Sequence, residues 1–135
     1  MATLTTIEGI GEALAEKFKQ AGVGSVEKLL EKGSTAKGRK ELAEATGIDA
    51  SRILRFVNHA DLMRLKGVGG EYAELLEAAG VDTVAELARR NAANLHAKMV
   101  EVNEQKKLVR QVPVLAQVEA WIAQAKEMPK VVTHG

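Results

Sequence analysis

The chain has 135 residues, 46% of them hydrophobic, and a formal net charge of +1. It contains no cysteine, which excludes a disulfide framework, a thiol nucleophile and a thiolate metal site. No apolar run approaches the roughly 18 residues that cross a bilayer, and the first residues lack the basic head and hydrophobic segment of a secretory leader. We therefore expect a cytoplasmic protein with no membrane contact.

The composition predicts an all-α fold. Alanine, leucine, glutamate and lysine are abundant, and β-branched residues do not alternate along any stretch. In the first half, capping side chains and glycines delimit four helices. The predicted helices are residues 12–21, stopped by Gly22; a short one after Ser25; residues 36–46, capped by Ser34 or Thr35 and stopped by Gly47; and one capped by Asp49 that ends near Arg64.

The second half has comparable helix signals. Thr83 and Glu86 are spaced as a capping box, in which each residue satisfies the free amide of the other. Pro113 suits the first turn of a last helix, because proline lacks only an amide that would be unpaired there. The predicted elements are a helix from about Glu71 to Ala79, stopped by Gly80; a short helix after Thr83; a helix near 94–103; a last helix that ends before Pro129; and a flexible tail over residues 130–135.

The sequence contains an internal duplication. Residues 7–29 match residues 65–87 at a shift of 58 places, with nine identities in 23 positions. That agreement is too extensive for coincidence and indicates repeated structure. The identical pairs are Gly9 with Gly67, Gly11 with Gly69, Ala15 with Ala73, Glu16 with Glu74, Ala21 with Ala79, Gly22 with Gly80, Val23 with Val81, Val26 with Val84, and Leu29 with Leu87.

A weaker match continues at a shift of 65, where Phe56 pairs with Trp121, and implies seven extra residues in the second half. We therefore predict two related halves of about 58 to 65 residues, residues 1–64 and residues 65–129, followed by the tail. We expect the halves to be roughly two-fold related, with eight or nine short helices packed on one core as one compact domain.

Each half carries two glycines separated by one apolar residue, placed directly before a predicted helix. In the second copy these are Gly67, Val68 and Gly69, and Ala73 follows four residues after the second glycine. A helix, an apolar-Gly-apolar-Gly turn and a further helix resemble the helix-hairpin-helix superfamily. The resemblance implies a SAM/HhH-like fold, and many modules of this superfamily bind DNA without sequence specificity.

Three further stretches carry a narrower resemblance. They are Lys37–Ala43, Thr46–Ile48 and Ala60–Arg64, and with the hairpins they cover most of the chain. Together they resemble a bacterial helix-hairpin-helix family labelled as a domain of unknown function, of the DUF 4332 type. The resemblance implies no activity.

The first hairpin is interpreted as purely structural. A hairpin that binds phosphate uses the free amides at the start of the following helix and usually adds basic side chains. Here Glu8, Glu12 and Glu16 lie in or just after the bend. Their carboxylates would repel a phosphate more than a few weak amide bonds would attract it.

The second hairpin is the better candidate. Lys66 lies in the bend and Gly70 allows close approach of a ligand. Glu71 and Glu74 follow, where carboxylates also stabilise the positive end of the helix dipole. The predicted nucleic-acid-binding residues are Arg64, Lys66, Gly67, Gly69 and Gly70 at this hairpin, with Lys37, Arg39 and Lys40 in a basic segment of the first half.

Charge alternates along the chain although the total is small. The net charge is +3 over residues 37–66, −5 over residues 67–88 and +4 over residues 89–112. A folded basic segment could follow a nucleic-acid backbone without reading bases. The alternative is that these segments are solvated helix faces, or that they pair with acidic segments of the other half or of a second copy.

Catalysis has little support in the sequence. His59, His96 and His134 are scattered, with no metal-ligand spacing that repeats in both halves. Some DNA-repair glycosylases carry a similar hairpin, but Lys66 precedes the glycine pair instead of following it. We predict no catalytic residue, no metal, no cofactor and no small-molecule substrate, and we expect the chain not to be an enzyme.

Two functions remain open. The first is a non-enzymatic, sequence-independent module that binds the phosphate backbone of DNA through hairpin amides and nearby basic residues. The alternative is a protein-interaction or scaffold domain, with a protein partner or a second copy and no nucleic acid. The neutral charge balance, the acidic first hairpin and the segregated charges favour the alternative.

Overall fold

The computed structural model describes residues 2 to 134 and contains helices and no strand within that range, which confirms the all-α prediction. A short 3-10 helix, Leu4–Thr6, precedes eight α-helices among these residues. They are α1 (Glu12–Gln20), α2 (Val26–Gly33), α3 (Ala36–Thr46), α4 (Ala50–Leu62), α5 (Gly70–Ala78), α6 (Val84–Leu87), α7 (Ala92–Lys106) and α8 (Leu115–Lys126).

The helices form two compact units. Unit 1 runs to Asp61 and includes the end of the chain from Val131 onward, whereas unit 2 spans Leu62–Lys130. The predicted halves meet three residues later in the sequence. The packing of the halves on a shared core stays a prediction.

Unit 1 is built around apolar side chains from the first hairpin and from α1, α2 and α4. Phe18 and Phe56 are fully buried, and their rings meet edge to face with centroids 6.3 Å apart. Gly33, the last residue of α2, packs so closely on α4 that an added Cβ would overlap the side chain of Val57. A glycine is therefore required for this helix contact.

Unit 2 has its own hydrophobic core. Trp121 on α8 is 3% exposed, and its ring lies 5.5 Å from that of Tyr72 on α5. The Tyr72 hydroxyl donates to the carbonyl of Gln111 at 3.0 Å, so the polar tip of this half-buried ring has a partner. The fully buried members of this core are Leu62, Ala73, Leu75, Leu76, Val81, Leu87, Met99 and Val118.

The backbone around the paired glycines has the same conformation in both units. Gly9 and Gly67 have φ of 95° and 90°, a region that L side chains rarely adopt. Gly11 and Gly69 are extended and precede α1 and α5. The hydrogen bonds recur 58 residues apart: Ile10 N to Ile7 O at 3.1 Å and Val68 N to Leu65 O at 3.2 Å, then Val23 N to Phe18 O at 2.8 Å and Val81 N to Leu76 O at 2.9 Å.

Most predicted helix ends agree with the structure, and two details were wrong. Thr83 Oγ1 accepts from Glu86 N at 3.2 Å, but the carboxylate of Glu86 lies 3.5 Å from the amide of Asp82 instead of reaching the amide of Thr83. Pro113 does not lie in the first turn of α8, because Val114 is the N-cap residue and the proline precedes it. The last helix therefore begins two residues after Pro113.

Residues 131–134, which belong to the predicted flexible tail, pack within unit 1. Residue 135 lies outside the described residues, and the flexibility of the tail stays a prediction. Val132 is 2% exposed, and the amide of Thr133 donates to the carbonyl of Ser34 at 2.8 Å. Arg39 holds the same segment: its Nη2 donates to Thr133 O at 2.6 Å and its Nη1 to Gly33 O at 2.8 Å. The tail thus adds an apolar side chain and backbone hydrogen bonds to this unit.

Close approach of α2 and α3 generates the first stability prediction. An added Cβ at Gly38 would overlap the carbonyl oxygen of Lys32. Alanine is a better helix former than glycine by about 1 kcal/mol, so without that overlap Gly38→Ala would stabilise α3. We expect the reverse, a loss of about 1 to 3 kcal/mol of unfolding free energy in urea titrations, since backbone must move.

Gly24→Ala is the matched control, because no atom lies within 4 Å of its added Cβ. It should change the unfolding free energy by no more than about 0.5 kcal/mol. A stabilising Gly38→Ala would contradict the close approach of the two helices.

The buried Arg39 gives a second prediction. Arg39→Met removes both hydrogen bonds of the guanidinium and should cost about 1 to 3 kcal/mol of unfolding free energy. Lys40→Met changes an exposed neighbour and should stay within about 0.5 kcal/mol. In a chain that ends at Lys130, Arg39→Met should cost less, because one of its two acceptors is already gone.

Equal stabilities of Arg39→Met and Lys40→Met would show that the guanidinium does not hold the tail.

Candidate functional site

The second hairpin links the end of α4 to α5 within unit 2. Leu65 and Val68 are buried, at 2% and 5% exposure, and they fix the bend from inside. Gly67 and Gly69 are exposed on its outer side. Apolar residues and glycines alternate in this part of the sequence. In the structure the apolar side chains form the buried inner edge of the hairpin, and the glycines form an outer edge without side chains.

The outer edge presents free backbone amides. Within residues 2–134, no protein group accepts a hydrogen bond from the amides of Gly69, Gly70 and Glu71. These are the N-terminal amides of α5, which have no partner inside the helix and lie at the positive end of its dipole. Such a set of donors can bind an anion.

The backbone of Lys66 is held by two side chains of α8. Its amide donates to Gln124 Oε1 at 3.0 Å, and its carbonyl accepts from Trp121 Nε1 at 3.1 Å. The Lys66 side chain remains exposed. The two bonds fix the residue before the glycine turn and leave its ammonium group in solvent.

Sequence reasoning assigned Trp121 to the core and missed Gln124 altogether. The sequence signal that could have found both residues is the internal match at a shift of 65, which pairs Trp121 with Phe56 and Gln124 with His59. Phe56 lies 3.1 Å from an added Cβ at Gly9, and Trp121 lies 3.5 Å from an added Cβ at Gly67. An aromatic side chain therefore lies behind the first glycine of each hairpin.

Arg64 lies two residues before Lys66 and is half-buried. Its Nη2 donates to the carbonyl of Pro129 at 3.0 Å, close to the end of α8. A contact between Arg64 and phosphate stays a prediction.

The first hairpin has the same backbone but a different surface. Glu8, Glu12 and Glu16 are all exposed there. Glu8 occupies the position of Lys66, so the residue in the bend changes from an anion to a cation between the copies. Carboxylates also follow the second hairpin, at the exposed Glu71 and the half-buried Glu74, so the second copy carries mixed charge.

The basic segment of the first half needs one correction. Lys37 and Lys40 are exposed, as a phosphate contact requires, but Arg39 is 6% exposed and binds two backbone carbonyls. Burial lowers the pKa of the Arg39 guanidinium below its ordinary value. Arg39 was predicted to bind nucleic acid, and it instead joins α2, α3 and the tail.

Five of the predicted residues belong to one unit, and the exposed lysines of the basic segment belong to the other. Arg64, Lys66, Gly67, Gly69 and Gly70 belong to one hairpin of unit 2, whereas the lysines of the basic segment belong to unit 1. In the range that the structure describes, no group of three histidine, aspartate or glutamate side chains could hold a metal ion. In the same range, no helix is long and apolar enough to cross a bilayer.

Comparison with known proteins gives a family and no solved relative. No solved structure matches the chain. A family model described as a domain of unknown function, DUF4332, matches residues 8 to 128, which is most of the sequence. Membership of the broader helix-hairpin-helix superfamily stays a prediction. This match includes the glycine turns of both hairpins, the eight helices and most of the length of the sequence. The chain therefore belongs to the DUF4332 family.

Proposed function

We propose that the chain is a non-enzymatic module that binds the phosphate backbone of nucleic acid at its second hairpin. One observation carries the proposal: the amides of Gly69, Gly70 and Glu71 have no acceptor within residues 2–134, and the exposed Lys66 belongs to the same hairpin. A phosphate oxygen accepts from backbone amides at a helix start, and a lysine adds a point charge. Two different kinds of donor thus belong to one hairpin.

The hairpin is pre-organised for such a contact. Gln124 and Trp121 already occupy the amide and the carbonyl of Lys66, so the turn does not need to be ordered when a ligand binds. The missing side chains at Gly67 and Gly69 let a phosphate approach the main chain. Binding energy is therefore not spent on folding the loop.

The proposed contacts are independent of sequence. Backbone amides and a lysine meet phosphate oxygens, which are the same at every nucleotide, so they position the module without reading bases. Because few charges take part, we expect a low affinity for nucleic acid that decreases as the salt concentration rises. Lys37 and Lys40 are proposed as additional phosphate contacts, because both are exposed.

The first hairpin is not part of the proposed site. Its backbone has the same conformation, but three exposed glutamates lie in or just after the bend in the sequence, Glu8, Glu12 and Glu16. A carboxylate about 4 Å from a phosphate costs about 1 kcal/mol even in bulk water, and more near a protein surface. The first copy thus retains the turn for folding alone.

A second candidate function is a protein-interaction or scaffold domain. The observation that favours it is a pair of adjacent large apolar side chains at the start of α8, Val114 and Leu115, which are 56% and 38% exposed. Exposed apolar side chains next to one another suit a protein partner or a second copy. Concentration-dependent mass in light scattering, lost in Leu115→Lys, would support this function.

Fluorescence anisotropy with a labelled duplex DNA at low salt tests the leading proposal. Lys66→Glu reverses the charge beside the free amides and should weaken binding by about tenfold or more. Lys19→Glu is the matched control, because it makes the same charge change at an exposed position of α1 and should alter binding by less than about twofold.

Binding should also fall as salt is raised in the unaltered chain. Absence of binding at low salt, or equal affinities of the Lys66 and Lys19 variants, would overturn the proposal and leave the interaction domain as the better account.

A further inference from the structure

A groove lies beside the second hairpin, along α8. Its volume is about 410 Å³, and it opens to solvent within unit 2. It is separate from the free amides at the start of α5, since Gly69, Gly70 and Glu71 do not line it. The lining residues are Lys66, Gly67, Gln117, Ala120, Trp121 and Gln124.

Two glutamines of this groove each offer an amide donor. Gln124 Oε1 accepts from the amide of Lys66, and Gln117 Oε1 accepts from the amide of Val114, each at 3.0 Å. A backbone amide can only donate, so the side-chain oxygen is fixed as its acceptor in both glutamines. The remaining polar atom of each side chain is the Nε2 amide, which donates.

The groove therefore suits a ligand that accepts several hydrogen bonds. Lys66 contributes an ammonium group, which also donates, and none of the lining residues is acidic. A phosphate group brings oxygens alone, and its charge complements Lys66.

The size of the groove and its apolar wall indicate more than a lone ion. A volume of about 410 Å³ is far larger than the ~30 Å³ that a water molecule occupies in the liquid. The exposed Ala120, the backbone of Gly67 and the edge of Trp121 form a wall without charge. A phosphate joined to a planar or apolar group fills both parts of such a site.

We propose that this groove binds one nucleotide, with its phosphate on Lys66, Gln117 and Gln124 and its remainder along Ala120 and Trp121. The nucleotide is either free or part of a single strand. The inference deepens the proposed function and rests on it, since Lys66 serves both the groove and the hairpin amides.

Trp121 is the only tryptophan of the chain and lines the groove, so its emission reports on occupancy. The probes are 5′-AMP for the free nucleotide and an unlabelled single-stranded oligothymidine for the strand. In the unaltered chain, at least one probe should change the tryptophan emission in a saturable way. A response to AMP identifies free nucleotides as ligands, and a response to the oligonucleotide alone identifies the strand.

The test variant is Gln117→Glu with Gln124→Glu. Each glutamate keeps the oxygen that accepts from Val114 or Lys66, removes the Nε2 donor and adds a negative charge. We expect probe affinity to fall by about tenfold or more while the thermal unfolding midpoint stays close to that of the unaltered chain. Gln105→Glu, an exposed change on α7 outside the groove, should leave probe affinity unchanged.

Ala120→Glu is a second variant for the case in which the double change unfolds the chain. Its position is exposed on α8, so it should fold normally and still place a carboxylate in the groove. Absence of any emission change with both probes, or full affinity in these variants, would overturn the inference.

The two proposals fail separately. Loss of duplex binding in Lys66→Glu with unaltered probe binding in Gln117→Glu/Gln124→Glu would overturn the groove alone. Duplex binding that is insensitive to Lys66→Glu would overturn the function at the hairpin, even where AMP binds the groove.

Discussion

The hydrogen bonds that α8 makes to the backbone of Lys66 hold the second hairpin in place. Gln124 accepts from its amide and Trp121 donates to its carbonyl, so a turn of two exposed glycines is tied to a long helix. The same helix contributes Trp121 to the core of unit 2, where the ring meets Tyr72. Helix α8 thus packs in the core of unit 2 and also fixes the hairpin that carries the free amides. The proposed phosphate contact and the nucleotide groove both depend on this helix.

The two hairpins separate what folding requires from what binding requires. Gly9 and Gly67 share a positive φ and the same closing hydrogen bonds, so the turn itself is a structural element in both units. The residue in the bend differs, with Glu8 in one copy and Lys66 in the other. A glycine turn of this kind is therefore weak evidence for a ligand by itself. The charge of the bend and the side chains behind it are what favour the second copy.

The sequence predicted those parts of the fold that local chemistry decides. Gly47 ends α3 in the left-handed conformation because the signal for a helix stop lies in the residue itself. Contacts between distant segments could not be predicted: Arg39 looked like an exposed cation of a basic segment, but its partner Thr133 lies 94 residues away. Gln124 was missed for the same reason, since its bond to Lys66 spans 58 residues. The glycines thus located the candidate site in the sequence. The side chains that hold the site could not be identified from the sequence.

The central claim is that the second hairpin, and not the first, binds phosphate through its free amides. Titration of the isotope-labelled chain with a short duplex DNA, followed by amide chemical shifts, tests it residue by residue. The amides of Gly69, Gly70 and Glu71 should shift most, and those of Gly11 and Glu12 should stay unchanged. Shifts of equal size at both hairpins, or shifts at neither, would contradict the claim.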